Sequence, residues 1–311
     1  MHKLLSTSVW LLLAVLPLQV LAGNPVYPVR EIPAALLKNA DVVKRLDETV
    51  VRINGLADTR ITTHRIITVL NEAGAESARL REFYSNLEEI RAISGALFDA
   101  NGKLVKRLKQ GEISDAPAWD GFSLMNDARI KQHRFYYNTY PYTVEYSVET
   151  RMNNTAFWPR WVPQNKTDCT VEHGMLSVTV PTDYTLRYRS YLYNHEPATT
   201  TGKGTKTYTW EVQNLAALEP EAFPDELYRR TPSVFLGATA FEMGKYKGDM
   251  STWKDFGAFV YRLNEGRDML PDNIRAKVRE LTAGKTREEK INTLYRFLQQ
   301  NNRYVSIQLG I

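Results

Sequence analysis

A single cysteine, Cys169, stands in 311 residues. One thiol cannot close an intramolecular disulfide or build a multi-cysteine zinc site, so neither staples this fold. The charge excess is also slight, with 40 basic against 35 acidic residues. Lys and Arg alternate with Glu and Asp rather than forming a stripe, which argues against nucleic acid as a partner. No glycine-rich phosphate loop is present, because Gly202-Lys203-Gly204 lacks both the spacing and a following helix. No G-x-S-x-G nucleophile elbow occurs either. His64, His133, His173 and His195 share no ligand spacing such as an i, i+4 pair, so no metal site and no cofactor are expected. With 43% hydrophobic and 24% charged residues, the composition is that of a folded globular protein, and the length favours two domains.

The N-terminus carries more information. Met1-His2-Lys3 gives a positive start, and an apolar run follows from Val9 to Leu18. Val20-Leu21-Ala22 then places small residues where a signal peptidase reads them. Residues 1–22 are therefore expected to be a cleaved signal peptide, and the mature protein to be exported, periplasmic or extracellular. A retained anchor fits less well, because the run is shorter than the ~20 residues a bilayer needs and Pro17 interrupts it. No integral membrane segment is expected after cleavage.

From Asp47 to Val212 the hydrophobic period is two. Tyr142, Val144, Tyr146 and Val148 alternate with Thr143, Glu145, Ser147 and Glu149, which predicts a half-buried strand. Leu176, Val178 and Val180 repeat the pattern, as do Tyr208, Trp210 and Val212. Asn101-Gly102 tolerates the positive φ angles of a tight hairpin. Residues 23–220 are thus expected to form a mainly β domain, an antiparallel β-sandwich.

Beyond Pro220 the pattern changes. Residues 221–250, punctuated by Pro224 and Pro232, read as a linker. Residues 251–311 then turn helical. Phe256, Val260 and Leu263 follow a Ser251 cap, and Ile274, Val278 and Leu281 follow Pro271. Thr286 and Glu289 form a capping box ahead of the apolar stripe Ile291, Leu294, Tyr295 and Leu298. Arg303–Leu309 alternates like a strand, and the native product is expected to continue past Ile311.

Few side chains invite chemistry. Cys169 precedes a predicted strand, and His173 lies four strand residues on, about 13 Å away, so the thiol reads as structural. No catalytic residue is assigned. The aromatic segment Phe157-Trp158-Pro159-Arg160-Trp161 lies between prolines and reads as a loop. Phe157, Trp158 and Trp161 are its candidate contacts for a peptide or glycan ligand, since rigid rings give contact area at little entropic cost.

The order of these parts resembles a known family. The Tyr142–Arg151 strand, the Trp161-Val162-Pro163-Gln164 segment and the Met175–Pro181 strand resemble domain of unknown function 3857 of bacterial envelope proteins. That domain typically precedes a transglutaminase-like domain, whose opening helix and strand Arg287–Tyr304 resembles. The resemblance runs from roughly Ala35 to Ile311. It implies an α+β thiol-enzyme domain with a cysteine, a histidine and an acid, of which the sequence carries only the start. No position here matches the family's nucleophile, histidine or acid. Two readings follow. One is an exported non-catalytic module that binds or positions a peptide or glycan; the other is a secreted hydrolase using an unrecognised carboxylate or histidine site. Oligomeric state is open.

Overall fold

A computed structural model describes residues 27–308. The expected signal peptide therefore lies outside the described residues. The fold is mainly β, as the period-two pattern requires. Its centre is an eight-stranded sheet in the order Ala198–Gly202, Thr205–Leu215, Cys169–Pro181, Val42–Gly55, Asp58–Val69, Tyr142–Met152, Glu88–Phe98 and Leu104–Arg107. Neighbours run antiparallel except at one seam. There Val42–Gly55 lies parallel to Cys169–Pro181, so the large sheet is mixed.

Local sequence explains the hairpins. Gly102 takes φ +82°, and the strands on either side of Asn101-Gly102 pair as expected. The long strands Val42–Gly55 and Asp58–Val69 form a hairpin with a register shift between Lys44 and Leu46. That bulge inserts a residue and turns the side chains that follow onto the other face.

One face of the sheet carries two apolar clusters. Cross-strand partners share a face. The registers Asp47–Arg65–Tyr146 and Thr49–Thr63–Val148 therefore place Val144 and Val148 on the same side as Val51 and Ile53. Over one half, Val42, Val69, Val144, Val148 and Leu97 pack with Leu80 and Phe135. This half is covered by a small sheet of Leu80–Tyr84, Arg129–His133 and Ser114–Pro117. Over the other half, Val51, Ile53, Leu176, Val178 and Trp210 pack with Trp161 and Val234. A second small sheet, Arg160–Trp161, Ser233–Gly237 and Arg187–Tyr191, covers it. On the opposite face Ile32 and Leu36 close over Val43, and Thr170 Oγ1 donates to Leu36 O at 2.8 Å.

The stretch 221–250, expected as a linker, carries structure of its own. Ser233–Gly237 is the central strand of the second small sheet, and Ala240–Met243 pairs with Tyr246–Asp249. The helices follow where the period changed. Trp253–Asn264 is capped by Thr252, whose hydroxyl accepts from Asp255 N–H; this is one residue past the expected Ser251. Its Phe259 meets Phe241 of the hairpin edge-on at 4.8 Å. Asp272–Thr282 starts after Pro271, and Arg287–Asn301 opens on the reciprocal Thr286–Glu289 capping box. Ile291, Tyr295 and Leu298 of this last helix are each more than half exposed. Its apolar stripe is thus largely exposed among the described residues, with only Leu294 half-buried.

Candidate functional site

The two small sheets do not meet. Between them, on the covered face of the large sheet, lies a cleft of about 460 Å³. Its floor is the register row Asp47–Arg65–Tyr146, which runs across three adjacent strands. Residues 76–81 form one wall and residues 160–166 the other.

The floor is charged and buried. Lys44 Nζ donates to Asp47 Oδ2 at 2.5 Å and to Pro163 O at 2.6 Å. The two side chains are only 9% and 10% exposed. Arg65 reaches Asp47 at 3.9 Å and donates to Glu82 Oε1 at 3.1 Å. Burial lifts the Glu82 carboxyl above its usual range against the pull of Arg65. At the far end of the row, Tyr146 Oη and His133 Nδ1 share a hydrogen bond at 2.7 Å. Burial pushes His133 below its usual range, with Glu112 opposing it from 3.9 Å.

The first wall comes from the short 3-10 turn Ala73–Ala78 and the strand that follows it. Arg81 and Arg79 converge on the same Glu76 oxygen, at 2.8 and 3.4 Å. Arg79 also donates to Gln132 Oε1 at 2.7 Å. The second wall is the Trp161-Val162-Pro163-Gln164 segment, and its local geometry has a clear cause. Gln164 is buried and pins the chain on three sides. Its amide donates to Cys169 O at 2.8 Å and Ala216 O at 2.6 Å, and its oxygen accepts from Thr231 Oγ1 at 2.9 Å. Pro163 O meanwhile takes the Lys44 bond. Across the mouth, Lys166 Nζ donates to Ser77 Oγ at 2.9 Å. Arg160 lies 5.1 Å from the Phe235 ring centre.

The three candidate aromatics fall in three different settings. Phe157 is 58% exposed. Trp158 is half-buried and packs against two clusters. Trp161 is 4% exposed, lines the cleft, and its buried indole N–H has no hydrogen-bond acceptor.

Cys169 also borders the cleft but is 1% exposed, and burial pushes its thiol up to about 11. His173 points away from it, pairing with Glu211 at 2.9 Å. His64 pairs with Glu145 at 2.7 Å, and His195 stands edge-on to Tyr193 at 6.3 Å. Among the described residues no three His, Cys, Asp or Glu side chains gather as metal ligands.

The residues that sequence reasoning missed are the cations. Lys44, Arg65, Arg79, Arg81, Arg160 and Lys166 all line the cleft, with Asp47 and Glu76 as its carboxylates. One signal was available. Lys44 interrupts the apolar start of a strand, where a charge is tolerated only with a partner. The others are scattered singly or in pairs along the chain and look like ordinary surface.

Comparison with known proteins follows the fold. A family model for a Domain of Unknown Function, DUF3857, matches residues 58–219. The match takes in both the Trp161–Gln164 wall and seven of the eight central strands. No curated protein sequence matches the chain. Among solved structures, a "putative protease" from Parabacteroides distasonis ATCC 8503 superposes with a TM-score of 0.61 at 14% identity. The superposition covers 84% of this chain and 50% of that one, so the chain spans half the length of that protein. An M1 zinc metallopeptidase from Deinococcus radiodurans matches at a TM-score of 0.30 and 10% identity, over 68% of this chain and 46% of its own.

Proposed function

This chain belongs to the DUF3857 family, and we propose that it is the exported, non-catalytic β-module of a transglutaminase-like envelope protein, holding a peptide partner in the cleft between its two small sheets. The observation that carries this reading is the cleft itself: a concavity of about 460 Å³ with charged side chains converging on it. A peptide fits better than a glycan. Sugars are commonly held by stacking on open ring faces, whereas Trp161 and Tyr146 at the cleft are each only 4% exposed. The candidate nucleophile supports a binding role over a hydrolytic one, because the Cys169 thiol is buried and has no histidine partner.

The attachment to a transglutaminase-like body draws support from the helices. Ile291, Tyr295 and Leu298 make an apolar stripe that stays more than half exposed among the described residues, and such faces are commonly buried against another element. Export rests on the N-terminal pattern. No helix among the described residues is long and apolar enough to cross a membrane.

Capture of peptides from a random short-peptide library tests the binding role. The wild-type chain is compared with Ser77→Trp and Asn165→Trp, which fill the mouth of the cleft. Wild type is expected to enrich peptides that both filled variants, folded by thermal unfolding, fail to hold. Equal capture by all three, or none by any, would sink the reading. Peptide or glycan hydrolysis above a blank would favour the hydrolase instead.

A further inference from the structure

We infer that the partner held in this cleft is acidic: a peptide segment presenting two or more carboxylates to the Arg79–Arg81 wall on one side and to Arg160 and Lys166 on the other. The inference rests on the binding role proposed above and names the chemistry of its ligand.

Its basis is how the charges are shared. Each carboxylate lining the cleft serves more than one cation. Glu76 takes Arg79 and Arg81 through one oxygen, and Arg134 approaches its other oxygen at 3.9 Å. Asp47 takes both Lys44 and Arg65, with Glu82 behind as a further acceptor for Arg65. A guanidinium carries five N–H donors in a fixed fork. Arg79 and Arg81 share one Glu76 oxygen, and Gln132 takes one further Arg79 donor, so these acceptors are fewer than the donors the two forks present. Among the described residues, Arg160 and Lys166 have no carboxylate partner. Arg160 rests on the Phe235 ring, and Lys166 bonds only the Ser77 hydroxyl.

Six cations against two lining carboxylates is a large local excess for a chain whose overall charge is +5. Like charges gathered in one concavity repel one another, and the concavity focuses their field on whatever enters. A carboxylate between the two walls would relieve that repulsion and accept forked hydrogen bonds. Both walls are set by rigid elements. Gln164 pins one through three buried hydrogen bonds, and Arg81 sits on a strand paired to Arg129–His133.

The test measures fluorescence anisotropy of a labelled all-glutamate hexapeptide and its all-glutamine counterpart on the wild-type chain and on Arg160→Gln/Lys166→Gln. Both substituted side chains are exposed and lack ion-pair partners among the described residues, so the variant should unfold near the wild-type temperature. The glutamate peptide should bind wild type at least about tenfold more tightly than the glutamine peptide. The double variant should lose about tenfold for glutamate and little for glutamine, and added salt should narrow the difference. Equal binding of the two peptides would overturn the acidic assignment. So would absence of glutamate binding, or glutamate binding that ignores the double variant. Displacement of the glutamate peptide by polygalacturonate at a lower concentration than by unlabelled glutamate peptide would overturn it in favour of an acidic glycan. Library capture that depends on an open cleft distinguishes these failures from failure of the peptide-binding role, since that capture survives a wrong ligand charge.

Discussion

Lys44 and Asp47 stand three residues apart on one strand, yet their side chains meet at 2.5 Å on the same face. In a regular strand an odd spacing puts two side chains on opposite faces. The register shift between Lys44 and Leu46 removes that alternation, and so turns a strand into the floor of a cleft.

The pair is buried, and breaking it should be costly. Asp47→Ala leaves Lys44 with Pro163 O as its remaining hydrogen-bond acceptor. Removing one partner of a buried ion pair typically destabilises by about 3–5 kcal/mol, whereas replacing both by apolar residues can be nearly neutral. Urea unfolding is expected to show a loss near the lower end of that range for Asp47→Ala. Lys44→Met/Asp47→Leu should lose less. A double variant as unstable as the single one would mean that the pair's geometry, rather than its charge, sustains the floor.

Two histidines should impose opposite pH dependences. The hydrogen bond to Glu145 raises His64 above its ordinary 6.5. Its stabilising contribution is therefore complete below about pH 6.5, the unfolded value, and is lost as pH rises through the raised folded value. His64→Gln should show its largest stability deficit in acid, and the deficit should close toward alkaline pH. Burial lowers His133 below 6.5. The unfolded chain then takes up a proton that the folded one refuses, so stability falls as pH drops from about 6.5 toward the depressed value. His133→Gln should flatten that acid limb. Proton NMR titration would reverse both assignments if His64 titrated below His133.

Cys169 should behave as a core side chain. With its thiol pushed up to about 11 by burial, little thiolate exists at neutral pH. A chromogenic disulfide reagent is expected to leave the native protein unmodified and to react once urea unfolds it. Cys169→Ala should keep peptide capture intact at a stability loss of about 1 kcal/mol. Rapid labelling of the native thiol would contradict the packing described for it.

Gly95 supports the far end of the floor. A Cβ at this position would lie 2.7 Å from the Tyr146 ring and 2.9 Å from Glu145 O, with Tyr146 directly across the register. Gly95→Ala is expected to lose about 1–3 kcal/mol by overpacking. Gly111, which has open space around it, should accept alanine within about 0.5 kcal/mol. Thermal unfolding of the two variants compares them directly, and equal midpoints would show that the Tyr146 ring moves aside freely.

Much of the fold was legible because its determinants are local. Tyr142, Val144, Tyr146 and Val148 share a buried face because a strand alternates regardless of its neighbours. Thr286 and Glu289 cap their helix through bonds spanning three residues.

What the tertiary structure decided is register over long distance. The parallel seam between Val42–Gly55 and Cys169–Pro181 joins segments more than a hundred residues apart, as the Lys44 bond to Pro163 does across 119. Ser233–Gly237 became a central strand only because Arg160–Trp161 and Arg187–Tyr191 offered it two edges. Trp161 looked like an exposed loop aromatic until its own pairing into the second small sheet packed it against the large one. The cations of the cleft are scattered from Lys44 to Lys166 along the chain, and pairing strands by their backbones gathers those charges without regard to sequence order. Period and caps are set by side chains a few residues apart. Which edges meet, and therefore which charges share a cleft, is set by the burial of whole faces, where a slip of one residue would send each of them to the other side.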